Sequence, residues 1–300
     1  MCGIVGLYLK NNKFEDRLGE LFTPMLVAMT ERGPDSAGFA VYGDEVDDGV
    51  KLTLRHEDEN YDWSVLAKRI EQELNTTVDW FQNSKVAIFK VAGDAEQVEH
   101  YLQQQHDDVM VMSSGKSIEI LKEVGLPEHI AEMFHLNEIK GSHIIGHTRM
   151  ATESAVTMEG SHPFSTGMDL CLVHNGSLSN HNRLRQELKR AGIKFETEND
   201  SEVAAGYLTY RLQQGDSLNE ALEHALADLD GFFTFTIGTK DGFAVVRDPI
   251  SCKPAIIAET DDYVAMASEY QALTGLPGIE EAEVWEPEPA KIYAWERQTH

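Results

Sequence analysis

Residues 2–9 read Cys-Gly-Ile-Val-Gly-Leu-Tyr-Leu, and the apolar run over 3–9 has the β character of a strand. Working outward, Phe14, Leu18, Leu21, Phe22, Met25 and Met29 follow a helical spacing, and 38–42 reads as a second strand. Residues 44–62 turn acidic and polar, with a candidate strand at 50–55. Beyond them, helical patterns at 63–74 and 95–105 alternate with strands at 86–92 and 109–112, which predicts a small α/β subdomain inserted over about 44–140. Strands are then expected at 144–148, 170–174, 232–237, 243–247, 255–258, 263–267 and 292–295, with helices at 183–191, 201–213 and 218–229 in the middle. Asp200 reads as the N-cap of the second of these helices, and Ser217 with Glu220 has capping-box spacing before the third. Strands at both ends with helices between them argue for an α+β layered fold rather than alternating βαβ units.

The 300 residues carry 25 Lys and Arg against 51 Asp and Glu, a net charge of −26. A field of that sign repels phosphate backbones and anionic lipid, which argues against nucleic acid or a membrane surface as a partner. No stretch reaches the ~18 consecutive apolar residues of a spanning helix. The first residues also lack a basic region followed by an apolar one, so a cytoplasmic location is expected. Cys2, Cys171 and Cys252 are odd in number and far apart, which fits neither a disulfide framework nor a metal site. Cys171 and Cys252 read as packing residues. Ser114-Gly115-Lys116-Ser117 ends like a phosphate loop but has Met110 where the first glycine belongs, and His143 with His147 lies in a strand pattern rather than on a helix. No metal site is expected.

Cys2 stands directly after Met1. Removal of the methionine would leave a thiol and a free α-amine on one residue, with reference pKa values of about 8.5 and about 7.7–8.0, so the amine can take the thiol's proton. Position alone leaves the ordinary alternative of a buried cysteine acting as a small hydrophobe.

Other blocks stand in order along the chain: Arg32-Gly33-Pro34-Asp35-Ser36-Ala37-Gly38, Gly146-His147-Thr148-Arg149-Met150-Ala151-Thr152, His174-Asn175-Gly176 and Asn199-Asp200-Ser201-Glu202. Asp230-Gly231-Phe232-Phe233, Arg247-Asp248-Pro249, Lys253-Pro254 and Ala267-Ser268-Glu269 follow. With Cys2-Gly3-Ile4-Val5-Gly6, these closely resemble the class II glutamine amidotransferases, an N-terminal-nucleophile hydrolase family. The resemblance covers about residues 2–43 and 141–275. It implies a four-layer αββα sandwich of antiparallel sheets over residues 2–300, interrupted by the inserted subdomain.

By that resemblance, Cys2 attacks the side-chain amide of glutamine, forms a γ-glutamyl thioester and releases ammonia before water completes the hydrolysis. The Asn175 side-chain amide and the Gly176 N–H would stabilise the tetrahedral oxyanion. A plain Asn-Gly hairpin turn is the competing explanation of that pair. Arg149 would grip the α-carboxylate of glutamine and Asp200 its α-ammonium, with Thr152 assisting. Arg32 and Gly33 would order the loop around the Cys2 amine, although a tight turn at Gly33-Pro34 accounts for them equally well.

The sequence departs from the family at Glu153-Ser154, where many relatives have His-Gly, and at Ser251, where a glycine is usual. Its insert is longer than in sugar-phosphate or phosphoribosyl amidotransferases, and no second catalytic domain is expected. The length, the insert and the run Gly146-His147-Thr148-Arg149-Met150-Ala151-Thr152-Glu153-Ser154-Ala155 most resemble the stand-alone amidotransferase subunit of N-methylglutamate synthase and related glutamate-synthase-like complexes. That resemblance implies a flavin-binding partner carrying FMN and an iron–sulfur cluster, a β-helical partner, and no cofactor in this chain. It also raises γ-glutamylmethylamide, with release of methylamine, as an alternative substrate. An N-terminal-cysteine acylase of another kind is disfavoured by Arg149 with Asp200, which suit an amino-acid head. A catalytically silent assembly subunit of the same complex is the remaining alternative.

Overall fold

The computed structural model describes residues 2–151 and 156–297. In chain order its elements are β1 (Gly3–Leu9), α1 (Leu18–Val27), β2 (Ser36–Tyr42), β3 (Val50–His56), α2 (Trp63–Leu74), β4 (Val78–Asn83), β5 (Val86–Val91), α3 (Ala95–Gln105), β6 (Val109–Gly115), β7 (Ile118–Val124), α4 (Pro127–Met133) and β8 (His143–Arg149). There follow β9 (Phe164–Gly167), β10 (Leu170–Leu178), α5 (His181–Arg190), α6 (Asp200–Gln213), α7 (Leu218–Asp228), β11 (Gly231–Gly238), β12 (Gly242–Arg247), β13 (Ile256–Glu259), β14 (Tyr263–Ala267), β15 (Glu283–Trp285) and β16 (Ile292–Glu296). Among the described residues no helix is long and apolar enough to cross a membrane.

One antiparallel sheet has the order β15-β13-β14-β1-β8-β2-β7 and a second the order β16-β12-β11-β10-β9. Side chains alternate across each strand, so each sheet sends one set to a helical layer and the other to the space between the sheets. Val5, Leu7, Phe39 and Ile144 pack with Phe22, Leu26 and Phe134 of the α1–α4 layer. Leu172, Phe233 and Phe235 pack with Val203, Leu208 and Leu222 of the α5–α7 layer. Ile4, Tyr8, Ile145, Val173 and Phe243 fill the space between the sheets. The result is the αββα sandwich the resemblance implied, and full burial of each such Leu, Ile or Phe is worth about 1.5–3 kcal/mol.

The insert is smaller than expected. A separate sheet of order β4-β5-β3-β6 packs on α2 and α3 around Leu52, Trp63, Leu66, Phe89 and Leu102. Residues 118–139, placed by the sequence reading inside the insert, belong to the main body instead. There β7 pairs with β2 from Ser36↔Val124 to Tyr42↔Ile118, and Ile130 and Phe134 join the α1 layer. The sequence hid β7 because Lys122 and Glu123 interrupt its apolar pattern, yet both are buried.

Two local details bear on the site. The N-cap of α6 is Asn199, whose side chain accepts from the Ser201 N–H at 2.9 Å, so Asp200 opens the first turn rather than capping it. Ser217 and Glu220 form the expected capping box on α7.

Candidate functional site

Strand alternation brings the candidate residues to one place. Gly3 pairs with Thr148 and Ile4 with His147, so the next step along the β1–β8 ladder sets Cys2 opposite Arg149. Ile4 faces the space between the sheets, as do Ile145 on β8 and Val173 on β10. Cys2, Arg149 and Asn175 have the same parity on their strands and converge at one end of that space.

Cys2 is half-buried, with Sγ 3.9 Å from the Met150 carbonyl oxygen. Its own carbonyl accepts from Arg32 Nε at 3.0 Å and from Asn175 Nδ2 at 3.1 Å. Arg32 Nη1 in turn meets Glu269 Oε1 at 2.6 Å. The next residue but one is pinned from the same side: Ile4 N–H donates to Ser268 Oγ at 2.9 Å, and Ser268 N–H donates to the Ile4 carbonyl at 2.9 Å. The Ala267-Ser268-Glu269 block thus fixes the start of β1. Gly33 serves close approach, since a Cβ there would lie 2.3 Å from the Thr148 carbonyl carbon and 2.5 Å from Arg149 N.

Asn175 and Gly176 do not form a hairpin turn. They lie inside β10, paired with Thr234 and Phe233 of β11. Gly176 has φ +154°, and a Cβ on it would sit 2.0 Å from the Phe232 carbonyl oxygen, so the position excludes a side chain.

Arg149 ends β8 with 9% exposure, and its carbonyl accepts from Asp35 N–H at 3.0 Å. Asp35 Oδ2 takes the Ala151 N–H at 2.8 Å, which fixes the chain just beyond it. Asp200, its side chain 22% exposed, accepts from Leu178 N–H at 2.8 Å through Oδ2, and its Oδ1 lies 3.8 Å from His174 Nδ1. His174 Nδ1 also meets Ser201 Oγ at 2.8 Å, tying the Asn175-Gly176 strand to the first turn of α6. Burial lowers the His174 pKa, with Asp200 opposing that shift and Lys253 adding to it. Thr152, and the departures at Glu153 and Ser154, lie outside the described residues.

His162 and its contact with His147 escaped the sequence reading. His147 Nε2–H donates to the His174 carbonyl across 3.1 Å, and the ring stacks on His162 with ring centroids 3.9 Å apart. Burial pushes the His147 pKa down to about 3 and lowers that of His162 well below its ordinary value, so both rings are neutral. The run His162-Pro163-Phe164 was the available signal. Ser251, where the resemblance led to an expectation of glycine, holds φ +53°, and its hydroxyl donates to the Asp248 carbonyl at 2.8 Å.

The other cysteines separate. Cys171 is buried against Tyr42 Oη at 3.2 Å, and burial pushes its thiol up to about 12. Cys252 is exposed, contrary to the packing role expected for it. Among the described residues no group of three or more His, Cys, Asp or Glu is arranged to hold a metal ion.

Facing antiparallel sheets between two helical layers place the molecule in the N-terminal-nucleophile hydrolase fold class, and known proteins narrow this. A glutamine amidotransferase domain model matches residues 147–275. The glutamine amidotransferase-like protein GlxB of Rhizobium meliloti is 53% identical over 298 residues, spanning 99% of each chain. An amidophosphoribosyltransferase of Methanocaldococcus jannaschii is 34% identical over 167 residues, covering 55% of this chain and 36% of that protein. The structure of the glutamine phosphoribosylpyrophosphate amidotransferase from B. subtilis shares the fold with a TM-score of 0.63 at 20% identity, over 98% of this chain and 47% of that one. The chain belongs to the class II glutamine amidotransferases.

Proposed function

We propose that this chain, after loss of Met1, hydrolyses the side-chain amide of glutamine through Cys2 and hands the released ammonia to an acceptor on a partner protein. The observation that carries the reading is the convergence of Cys2, Asn175 and Arg149 between the sheets, with Asp200 reaching the other face of the same strand end.

The Cys2 amine takes the thiol proton, and the thiolate attacks the amide carbon. The resulting oxyanion is met by the Gly176 N–H and by the second N–H of the Asn175 amide, the first being given to the Cys2 carbonyl. Collapse of this intermediate breaks the C–N bond, the Cys2 ammonium returns its proton to the leaving nitrogen, and ammonia departs. Water activated by the same amine cleaves the thioester to glutamate and regenerates the thiol. Arg149 pairs with the α-carboxylate and Asp200 with the α-ammonium, which sets the amide rather than the head of the substrate at sulfur.

The partner in this reading is a glutamate-synthase-like flavin subunit, with FMN and an iron–sulfur cluster on that chain and a β-helical subunit beside it, as in N-methylglutamate synthase. Support for it rests on the resemblance in length, insert and motif wording described above. In that setting γ-glutamylmethylamide is a second substrate, releasing methylamine by the same bond cleavage.

Intact mass of the purified chain before and after diazo-oxonorleucine tests the core of the proposal. Loss of Met1 with one adduct on Cys2 is expected. Retained Met1 without an adduct would leave the chain an assembly subunit. Incubating the purified complex with both amides tests the substrate, and failure to release methylamine from the methylated one removes that part.

A further inference from the structure

Lys122 is a cation in the interior. It lies on β7 on the same face as Ile118 and Ile120, with 7% exposure. Placing an ammonium there is costly unless its donors are satisfied. All three are: Nζ donates to the carbonyls of Glu159 at 3.3 Å, Ser161 at 2.8 Å and Pro163 at 3.3 Å, and stands 4.9 Å above the Phe164 ring. One side chain of the seven-stranded sheet therefore gathers three carbonyls of a segment that has no helix or strand of its own between 156 and 163.

That segment touches the supports of both proposed glutamine-binding residues. A Cβ on Gly160 would lie 3.5 Å from Arg149 Nη1. The Gly160 carbonyl accepts from Asn199 Nδ2 at 3.4 Å, and Asn199 caps the helix that opens with Asp200. Ser161 Oγ donates to Ser36 Oγ at 2.9 Å, and Ser36 is the cross-strand partner of Arg149. His162 stacks on His147, two residues before Arg149.

We infer that Lys122 is a positioning residue for glutamine, holding residues 159–163 against Arg149 and Asn199 so that both ends of the amino-acid head meet a fixed clamp; this rests on the proposed glutaminase reading. A methionine would fill the same space at less cost, so the ammonium is there for its three bonds. The anchor is also sensitive to alkali. Burial lowers the Lys122 pKa to about 8, Arg55 adds to the shift, and Glu196, Glu202 and Glu159 oppose it; among the described residues neutral His162 also faces it. Loss of the proton leaves two donors for three carbonyls and removes the charge, so the segment loosens as pH rises through that value.

The test compares two reagents on Cys2 of the full chain: diazo-oxonorleucine, which has an amino-acid head, and iodoacetamide, which has none. In Lys122→Met, labelling by diazo-oxonorleucine should slow by about tenfold or more, the scale of one lost charged hydrogen bond, while iodoacetamide labelling stays within about twofold. No slowing, or equal slowing with both reagents, overturns the positioning role. Should Lys122→Met fail to fold, amide hydrogen exchange of the wild-type protein decides. Protection across 157–163, corrected for intrinsic exchange, should fall between pH 7 and pH 9 while that of 170–178 holds, and unchanged protection overturns the inference. A wild-type Cys2 that iodoacetamide labels and diazo-oxonorleucine does not is a different result: it removes the glutamine reading itself.

Discussion

The side-chain amide of Asn175 donates to the main-chain carbonyl of Cys2 across 3.1 Å, joining residues 173 positions apart in the chain. The bond runs from one sheet of the sandwich to the other, so the distance between the proposed nucleophile and the proposed oxyanion donor is set by sheet packing. Arg32 completes the hold on the same carbonyl.

Asn175→Ala removes the donor proposed to meet the developing oxyanion. Glutamate release should fall about 10²–10³-fold in kcat with little change in KM. A steady-state glutaminase assay checks this. A matching rise in KM would mean that Asn175 chiefly binds substrate.

Gly176→Ala inserts a Cβ where the Phe232 carbonyl oxygen would stand 2.0 Å away, at φ +154°. Either β10 and β11 separate locally or the protein unfolds. Thermal or urea unfolding should show a loss of about 1–3 kcal/mol or more, the range for strained backbone, and glutaminase activity should be lost with it.

Asp200→Asn keeps an oxygen to accept the Leu178 N–H but removes the charge proposed to meet the α-ammonium. KM for glutamine should rise by about 10–100-fold, the value of one charged hydrogen bond. Iodoacetamide labelling of Cys2 should be unchanged, and an equal loss there would show that Asp200 acts on the thiol instead. Arg149→Lys should behave in the same direction, because a point-charge ammonium cannot form the two parallel bonds of a guanidinium.

Acid should weaken the fold through its buried imidazoles. His143, stacked on Tyr42 at 4.1 Å and bonded to the Thr239 carbonyl at 2.8 Å, and His147 are both held neutral, with burial pushing each pKa down to about 3. Their unfolded values are about 6.5, so the unfolded chain binds protons that the folded one refuses. Stability is full above about pH 6.5 and falls by about 1.4 kcal/mol per pH unit per histidine as pH drops from there toward the folded value. Urea unfolding between about pH 7 and about pH 4 checks the slope, and His143→Gln should flatten it by one histidine's share.

Much of this molecule is legible from local pattern. The spans of α2 and α3 and the capping box of α7 follow from helical spacing and cap chemistry that neighbours in sequence provide. The ordered blocks around Cys2, Arg149, Asn175-Gly176 and Asp200 were sufficient to indicate the family, because each block is a short run of residue types. Other features depend on contacts between distant parts of the chain. Whether Asn175-Gly176 turns or pairs was open until Phe233 and Thr234 lay beside it. The charges of Lys122 and Glu123 concealed β7, since a polar residue reads as surface until its partners are known: three carbonyls for the lysine, and Arg55 at 2.8 Å for the glutamate. The cap of α6 passed from Asp200 to Asn199 because the Asp200 carboxylate was already engaged by Leu178 from the end of β10. The sequence alone determined which chemistry-bearing residues the chain owns and most of the helices around them, though not α4. Sheet register and burial decided where those residues meet and which charges stay inside, because both depend on partners far away in the chain.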